Sequence, residues 1–244
     1  MQRSLLQLTL VIRDILFPPC CAACKVRSVH SRVHLCSDCL ESIKSIEPPI
    51  CTVCGQPFHG PQGSDHICGQ CIKNPPSFDT ARSVFRYYGA VKSLIHKIKY
   101  NDDGYALRVL SFLVKDFMPS NDQKPDMVIP VPLHPKRLKK RSFNQSLRLA
   151  KAIFTDIPLG IDILIRTLNT KPQTELSMEE RPGNVRNAFE VARPLPKGAM
   201  RILLVDDVYT TGATVKACAK TLKRAGAREV HVFTIAKTLM INPE

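Results

Sequence analysis

The run Asp206-Asp207-Val208-Tyr209-Thr210-Thr211-Gly212-Ala213-Thr214 brings two carboxylates and three threonine hydroxyls together within nine residues. Adjacent carboxylates accept hydrogen bonds from vicinal sugar hydroxyls, directly or with a divalent cation nearby, while threonine hydroxyls and backbone N–H groups suit a phosphate. The chemistry implied is the holding of a sugar phosphate. The apolar run 202–205 predicts a buried strand of a parallel sheet that ends where the acids begin, and ligands of open α/β sheets bind at that end. Beyond the turn, Ala213, Val215, Ala217, Ala219, Leu222 and Ala225 recur at helical spacing up to Gly226. Residues 210–214 therefore fall at a helix start, where unpaired N–H groups favour an anion, and Gly212 lets the backbone come close. Asp and Thr are also ordinary helix caps, but two acids and three threonines exceed what capping needs. The Gly-Lys-Ser/Thr ending of a P-loop and the spaced glycines of a dinucleotide fold are both missing from this run.

Nine of the ten cysteines precede residue 72, and eight form four Cys-x-x-Cys pairs: Cys21/Cys24, Cys36/Cys39, Cys51/Cys54 and Cys68/Cys71. Eleven residues separate Cys24 from Cys36 and thirteen separate Cys54 from Cys68, so each couple of pairs fits one four-thiolate zinc site. Spacing leaves exchanged pairings open, along with Cys20 in place of Cys21 and His59 or His66 in place of a thiolate. A disulfide framework would need an oxidising compartment. Residues 1–17 contain Arg13 and Asp14 and are followed by no small-residue cleavage site, so they read as an amphipathic helix and not as an export signal. No segment is long enough to span a membrane, and a cytoplasmic zinc protein with two tandem ribbons is expected. Redox chemistry at one pair would call for a thioredoxin-like surround, which the flanking residues lack. Cys218, inside the helix after the loop, is assigned to packing.

The chain of 244 residues divides by composition into 1–79, rich in cysteine and turns, and 80–244, where strand and helix patterns alternate; Pro75-Pro76-Ser77 marks the boundary. The net charge of +14 is uneven: residues 1–79 hold seven Lys or Arg against six Asp or Glu, and residues 80–244 hold 28 against 15. The densest basic run is Lys136, Arg137, Lys139, Lys140, Arg141, Arg148 and Lys151, with no acid among them. It can attract a polyphosphate or a nucleic-acid backbone, or serve as a solvated face. It reads as a loop after a strand at 126–132, leading to a helix at 143–154. Strands are expected at 82–88 (exposed), 163–167, 187–192 and 229–236, and helices at 91–100 and 105–117. Segment 170–186 reads as a polar hairpin or a mobile lid. Phe85, Tyr87 and Tyr88 are candidates for stacking on a base, with core packing as the competing role.

The Asp206–Thr214 run closely resembles the 5-phosphoribosyl-1-diphosphate (PRPP) loop of type I phosphoribosyltransferases. That resemblance assigns the ribose hydroxyls to Asp206 and Asp207 and the 5-phosphate to the 210–214 turn. A second loop at the same sheet edge then places Lys136 and Arg137 on the pyrophosphate side. Nearly the whole chain resembles the ComF (ComFC-like) family. The match rests on Leu16-Phe17-Pro18-Pro19-Cys20 with the double ribbon, Pro130-Val131-Pro132-Leu133-His134-Pro135-Lys136-Arg137, Phe143-Asn144-Gln145, the segments around Thr170, Gln173, Arg181 and Asn184, Phe189, and the PRPP loop. The resemblance implies a type I phosphoribosyltransferase-like α/β domain, a parallel sheet flanked by helices, behind a small zinc-ribbon domain. It also implies Mg2+ with PRPP, lid residues Thr170, Gln173, Arg181 and Asn184, and a role in DNA uptake that involves single-stranded DNA and other uptake proteins. Pentosyl transfer to an unidentified acceptor, a DNA-binding or PRPP-sensing module, and, last, a PRPP-responsive regulator are the readings it leaves. Ser142 stands where the family usually has Gly before Phe-Asn-Gln.

Overall fold

The computed structural model describes residues 20–26, 33–58, 63–117, 124–168, 187–198 and 200–239. Four strands form an all-parallel sheet in the order β1, β6, β5, β2: β1 (Thr80–Arg86), β2 (Met127–Pro130), β5 (Arg201–Tyr209) and β6 (Glu229–Lys237). A separate antiparallel pair, β3 (Leu164–Arg166) and β4 (Phe189–Val191), pairs Ile165 with Glu190. The helices are α1 (Ser37–Glu41), α2 (Gly69–Lys73), α3 (Gly89–Asn101), α4 (Gly104–Leu113), α5 (Pro135–Arg141), α6 (Gln145–Ile153) and α7 (Ala213–Arg224).

Alternation along the strands assigns the two faces. Val128, Leu203 and Val205 join the core under α3, α4 and α6, whereas Met127, Ile129, Ile202 and Leu204 join the core under α7 and the β3–β4 pair. Cys218 is fully buried in the second core, which agrees with its packing assignment. The cysteine-rich part divides between the same two faces. Cys21, Ala22 and Leu35 pack with α3 and α4, while Val53 and Cys54 pack against the α7 side. Backbone bonds fasten it to β1: Ala81 N donates to the Val53 carbonyl at 2.7 Å, and Ile46 N and Arg86 N donate to the carbonyls of Val84 and Lys44.

Several sequence expectations need correction. The strand read as 202–205 runs on to Tyr209, because Asp206, Val208 and Tyr209 keep register with Thr234, Ala236 and Lys237 of β6. The strand expected to be exposed near 82–88 is half-buried, with Ala81, Val84 and Phe85 in the cores. Phe85 therefore packs edge-on to Phe117 at 5.7 Å and offers no face to a base; Tyr88 is exposed. The basic loop after β2 is the short helix α5, opened by Pro135 and by His134, whose Nδ1 accepts from Lys136 N at 3.2 Å. Ser142 closes that helix at φ +66°, a left-handed conformation that glycine adopts without strain. The expected amphipathic helix at 1–17 and the lid residues Thr170, Gln173, Arg181 and Asn184 lie outside the described residues.

Candidate functional site

A cleft of about 520 Å³ opens where the carboxyl ends of β2 and β5 adjoin. Its floor is the acidic pair. Asp206 Oδ1 accepts from Ser146 Oγ at 2.8 Å and from Asp207 N at 2.9 Å. Burial, then the neighbouring Asp207, lifts the Asp206 carboxyl to about 7. Lys99 Nζ stands 3.0 Å from Asp207 Oδ2. Burial works against the Lys99 charge, but Asp207 and then Asp206 more than offset it and hold its pKa above the ordinary lysine range.

Ser146 reaches the acids because α6 starts where Asn144 fixes it. Asn144 Oδ1 accepts from Ser146 N at 2.9 Å, and Asn144 Nδ2 donates to the Val131 carbonyl at 3.0 Å. One side chain thus caps α6 and ties it to the chain leaving β2. Arg141 then donates to Gln145 Oε1 at 3.2 Å, joining α5 to α6.

The basic wall comes from two elements. Arg137, Lys140 and Arg141 of α5 line the cleft, and so does Arg166 of β3, which is only 7% exposed and packs over the Phe189 ring at 5.3 Å. Burial, then the nearby Arg137 charge, lowers the Arg166 pKa. Two guanidiniums close enough to repel in a cleft define a place for an anion. Lys136 is exposed and does not line the cleft.

Val208, Thr210 and Thr214 also line the cleft. Tyr209 and Ala213 are buried beneath the turn, and Thr211 Oγ1 accepts from Ala213 N at 3.4 Å. Gly212 adopts φ +75°, and a Cβ there would lie 2.3 Å from the Tyr209 hydroxyl oxygen, so only glycine fits. The structure brings the acidic pair, two of the three threonines and Arg137 around one cavity. Lys99, Tyr100, Ser146 and Arg166 share it and were missed by the sequence reading. A charge inside the apolar stretch Leu164–Arg166 was the signal for Arg166; no local signal marks Lys99.

The cysteines form two groups, Cys21/Cys24/Cys36/Cys39 and Cys51/Cys54/Cys68/Cys71, with all ligand atoms in each group within 4.8 Å of one another. Cys24 and Cys36 sulfurs are 3.7 Å apart and those of Cys54 and Cys68 are 3.8 Å apart. A tetrahedron of sulfurs about 2.3 Å from zinc has edges of about 3.8 Å, so both groups fit that ion. Backbone N–H groups point at the sulfurs: Cys36 N lies 3.4 Å from Cys21 Sγ and Cys68 N 3.3 Å from Cys51 Sγ. Burial raises the Cys21 and Cys51 thiols, but backbone N–H donors, Cys24 then Cys36 for the first and Cys54 then Cys68 for the second, outweigh it and bring both to about 6. Burial lifts Cys39 and Cys71 far above the ordinary range, as expected for thiolates that need a cation between them. The first-with-second and third-with-fourth pairing is thereby resolved, without Cys20. His66 stacks on Phe58 at 3.8 Å and lies outside the clusters, while His59 is outside the described residues.

Parallel sheet, cleft and paired cysteine groups together define a phosphoribosyltransferase-like domain joined to a double zinc ribbon. Family models agree: a double zinc ribbon domain matches residues 12–72 and a phosphoribosyl transferase domain matches residues 115–239. Competence protein F of Haemophilus influenzae is 33% identical over 227 residues, covering 89% of this chain and 96% of that protein. DNA utilization protein YhgH of Salmonella typhimurium is 30% identical over 91% of this chain and 98% of its own, and competence protein ComFC of Bacillus subtilis is 30% identical over 84% of each. The chain belongs to the ComF family. Among the described residues no helix is long and apolar enough to cross a membrane.

Proposed function

We propose that the cleft binds PRPP with Mg2+. The observation that carries this reading is that one cavity at the end of β5 is lined by the half-buried Asp206 and the buried Asp207 together with Arg137 and Arg166. A sugar carrying a phosphate at one end and a pyrophosphate at the other has the complementary distribution of charge. In this reading Asp206 and Asp207 take the ribose hydroxyls, Thr210, Thr211 and Thr214 with the backbone of Gly212 and Ala213 take the 5-phosphate, and the basic wall takes the pyrophosphate. Lys136, outside the lining, contributes charge at longer range.

Magnesium retains waters and is held through few carboxylates plus ligand phosphates. That habit suits a floor where Asp207 is paired with Lys99 and the Asp206 carboxyl is lifted to about 7. The ion would supply charge to the departing pyrophosphate. The chain's own part is to orient the ribose on Asp206 and Asp207 and to surround the leaving group with Arg137, Arg141 and Arg166, the preorganised electrostatic contribution that dominates such chemistry.

The cellular role we infer is handling of single-stranded DNA during DNA uptake, in the cytoplasm and with other uptake proteins. The names of the relatives and the excess of 28 basic over 15 acidic residues beyond residue 79 support it. We also assign residues 1–79 to the zinc-ribbon part and 80–244 to the phosphoribosyltransferase-like part, and Thr170, Gln173, Arg181 and Asn184 to a lid. The test is pyrophosphate release from PRPP and Mg2+ with a panel of bases and single-stranded DNA, together with DNA affinity across a salt series. Release with any acceptor supports pentosyl transfer. PRPP binding without release supports sensing, and no DNA binding at low salt overturns the DNA role.

A further inference from the structure

Lys237 ends β6 beside Tyr209 of β5 and is 2% exposed. No carboxylate is ion-paired with it among the described residues. Burying an ammonium is costly unless other groups replace its water. Here Nζ donates to the Cys54 carbonyl at 3.0 Å and stands 3.5 Å above the centre of the Tyr209 ring. A four-thiolate zinc centre carries net negative charge, so the cluster that contains Cys54 is itself a partner for this cation.

The contact continues to the turn. Tyr209 is held from three sides: Lys237 over its ring, Phe78 edge-on at 6.4 Å, and Thr238 N donating to its carbonyl at 2.9 Å. Its hydroxyl fills the space where Gly212 would otherwise carry a side chain. The knuckle is equally fixed: Gly55, at φ +64°, lies so close to β1 that a Cβ would sit 2.6 Å from the Ala81 carbonyl oxygen. A series of contacts thus runs from the half-buried Cys54 through the buried Lys237 and Tyr209 to Gly212.

We propose that Lys237 is a positioning residue through which the second cysteine cluster holds the 210–214 turn in its ligand-binding shape. The second ribbon is then a structural part of the phosphate subsite, beyond any docking role. The inference rests on the reading of that turn as a phosphate site, but its first test needs no ligand.

Hydrogen exchange of the Lys216 and Thr238 amides, which donate to the carbonyls of Gly212 and Tyr209 at 2.9 Å, is measured in the zinc-loaded protein and in Lys237→Met, which keeps an apolar stem and removes the ammonium. Exchange at these two amides accelerates about tenfold, the loss of one buried bond to a charged donor, while 202–205 stays protected and two zinc ions remain. PRPP affinity falls by a similar factor. Tyr209→Phe removes only the hydroxyl under Gly212 and accelerates exchange at the same amides. The double variant is less than additive if the two act in series. Unchanged exchange at Lys216 and Thr238 in both single variants overturns the proposal, whether or not PRPP binds. Additive effects overturn the serial route. If exchange responds in the variants but the native protein ignores PRPP, the ligand assignment fails and the coupling stands.

Discussion

Replacing Asp206 by Asn should stabilise the protein while weakening its ligand site, with a stability gain that depends on pH. In the folded state the Asp206 carboxyl is lifted from its ordinary 3.8 to about 7. The folded state therefore binds the proton more tightly than the unfolded chain. The sign follows from linkage: below about pH 4 both states are protonated and the group costs nothing. Between pH 4 and 7 stability is lost at about 1.4 kcal/mol per pH unit, and above 7 the loss levels off at roughly 4 kcal/mol. Asn keeps an oxygen to accept from Ser146 Oγ and Asp207 N but carries no charge. The variant should therefore gain roughly 4 kcal/mol at pH 8 and about half that at pH 5.5. For a chain of this size that corresponds to a melting point about 8–16 °C higher at pH 8, with a smaller gap at pH 5.5. Thermal melts of both proteins, zinc-saturated and without PRPP, read this directly. A gap that does not change with pH, or a variant less stable than the parent at pH 8, refutes the assignment of a carboxyl whose charge is disfavoured in the folded state.

Other outcomes follow from the same geometry. Arg166→Met and Arg137→Met should each weaken PRPP binding about ten- to a hundredfold by calorimetry, as loss of a charge-assisted bond requires, whereas Lys136→Met should change it less than threefold. Ser142→Gly should stabilise by roughly 0.5–1 kcal/mol in denaturant melts, because it relieves a left-handed backbone at the end of α5. Elemental analysis should find two zinc ions per chain. Cys36→Ser should lose one of them and leave the second cluster loaded.

Local signals in the sequence carried much of this architecture. The cysteine spacing could be read because each zinc site closes within one short loop, and the apolar core of β5 could be read because it alternates between two buried faces. The end of β5 could not, since Asp206 to Tyr209 remain in the sheet only through pairing with β6, nearly thirty residues later. The helix α5 was hidden because Pro135 opens it and its remaining residues are almost all basic, with no apolar period to detect. Lys99 and Arg166 reach the cleft from distant segments, on α3 and β3, and their placement depends on the packing of those elements against the sheet. Ser142 is the converse case: its departure from glycine was visible, and the structure supplies the φ of +66° that gives the departure a cost.

The central claim is that the acidic pair and the threonine turn form a PRPP site. Calorimetry of PRPP with Mg2+ against the zinc-loaded protein and the Asp206→Ala/Asp207→Ala variant tests it most directly. Saturable one-to-one binding by the parent and its loss in the variant is the predicted result. Equal binding by the two proteins, or no binding by the parent, would contradict the account.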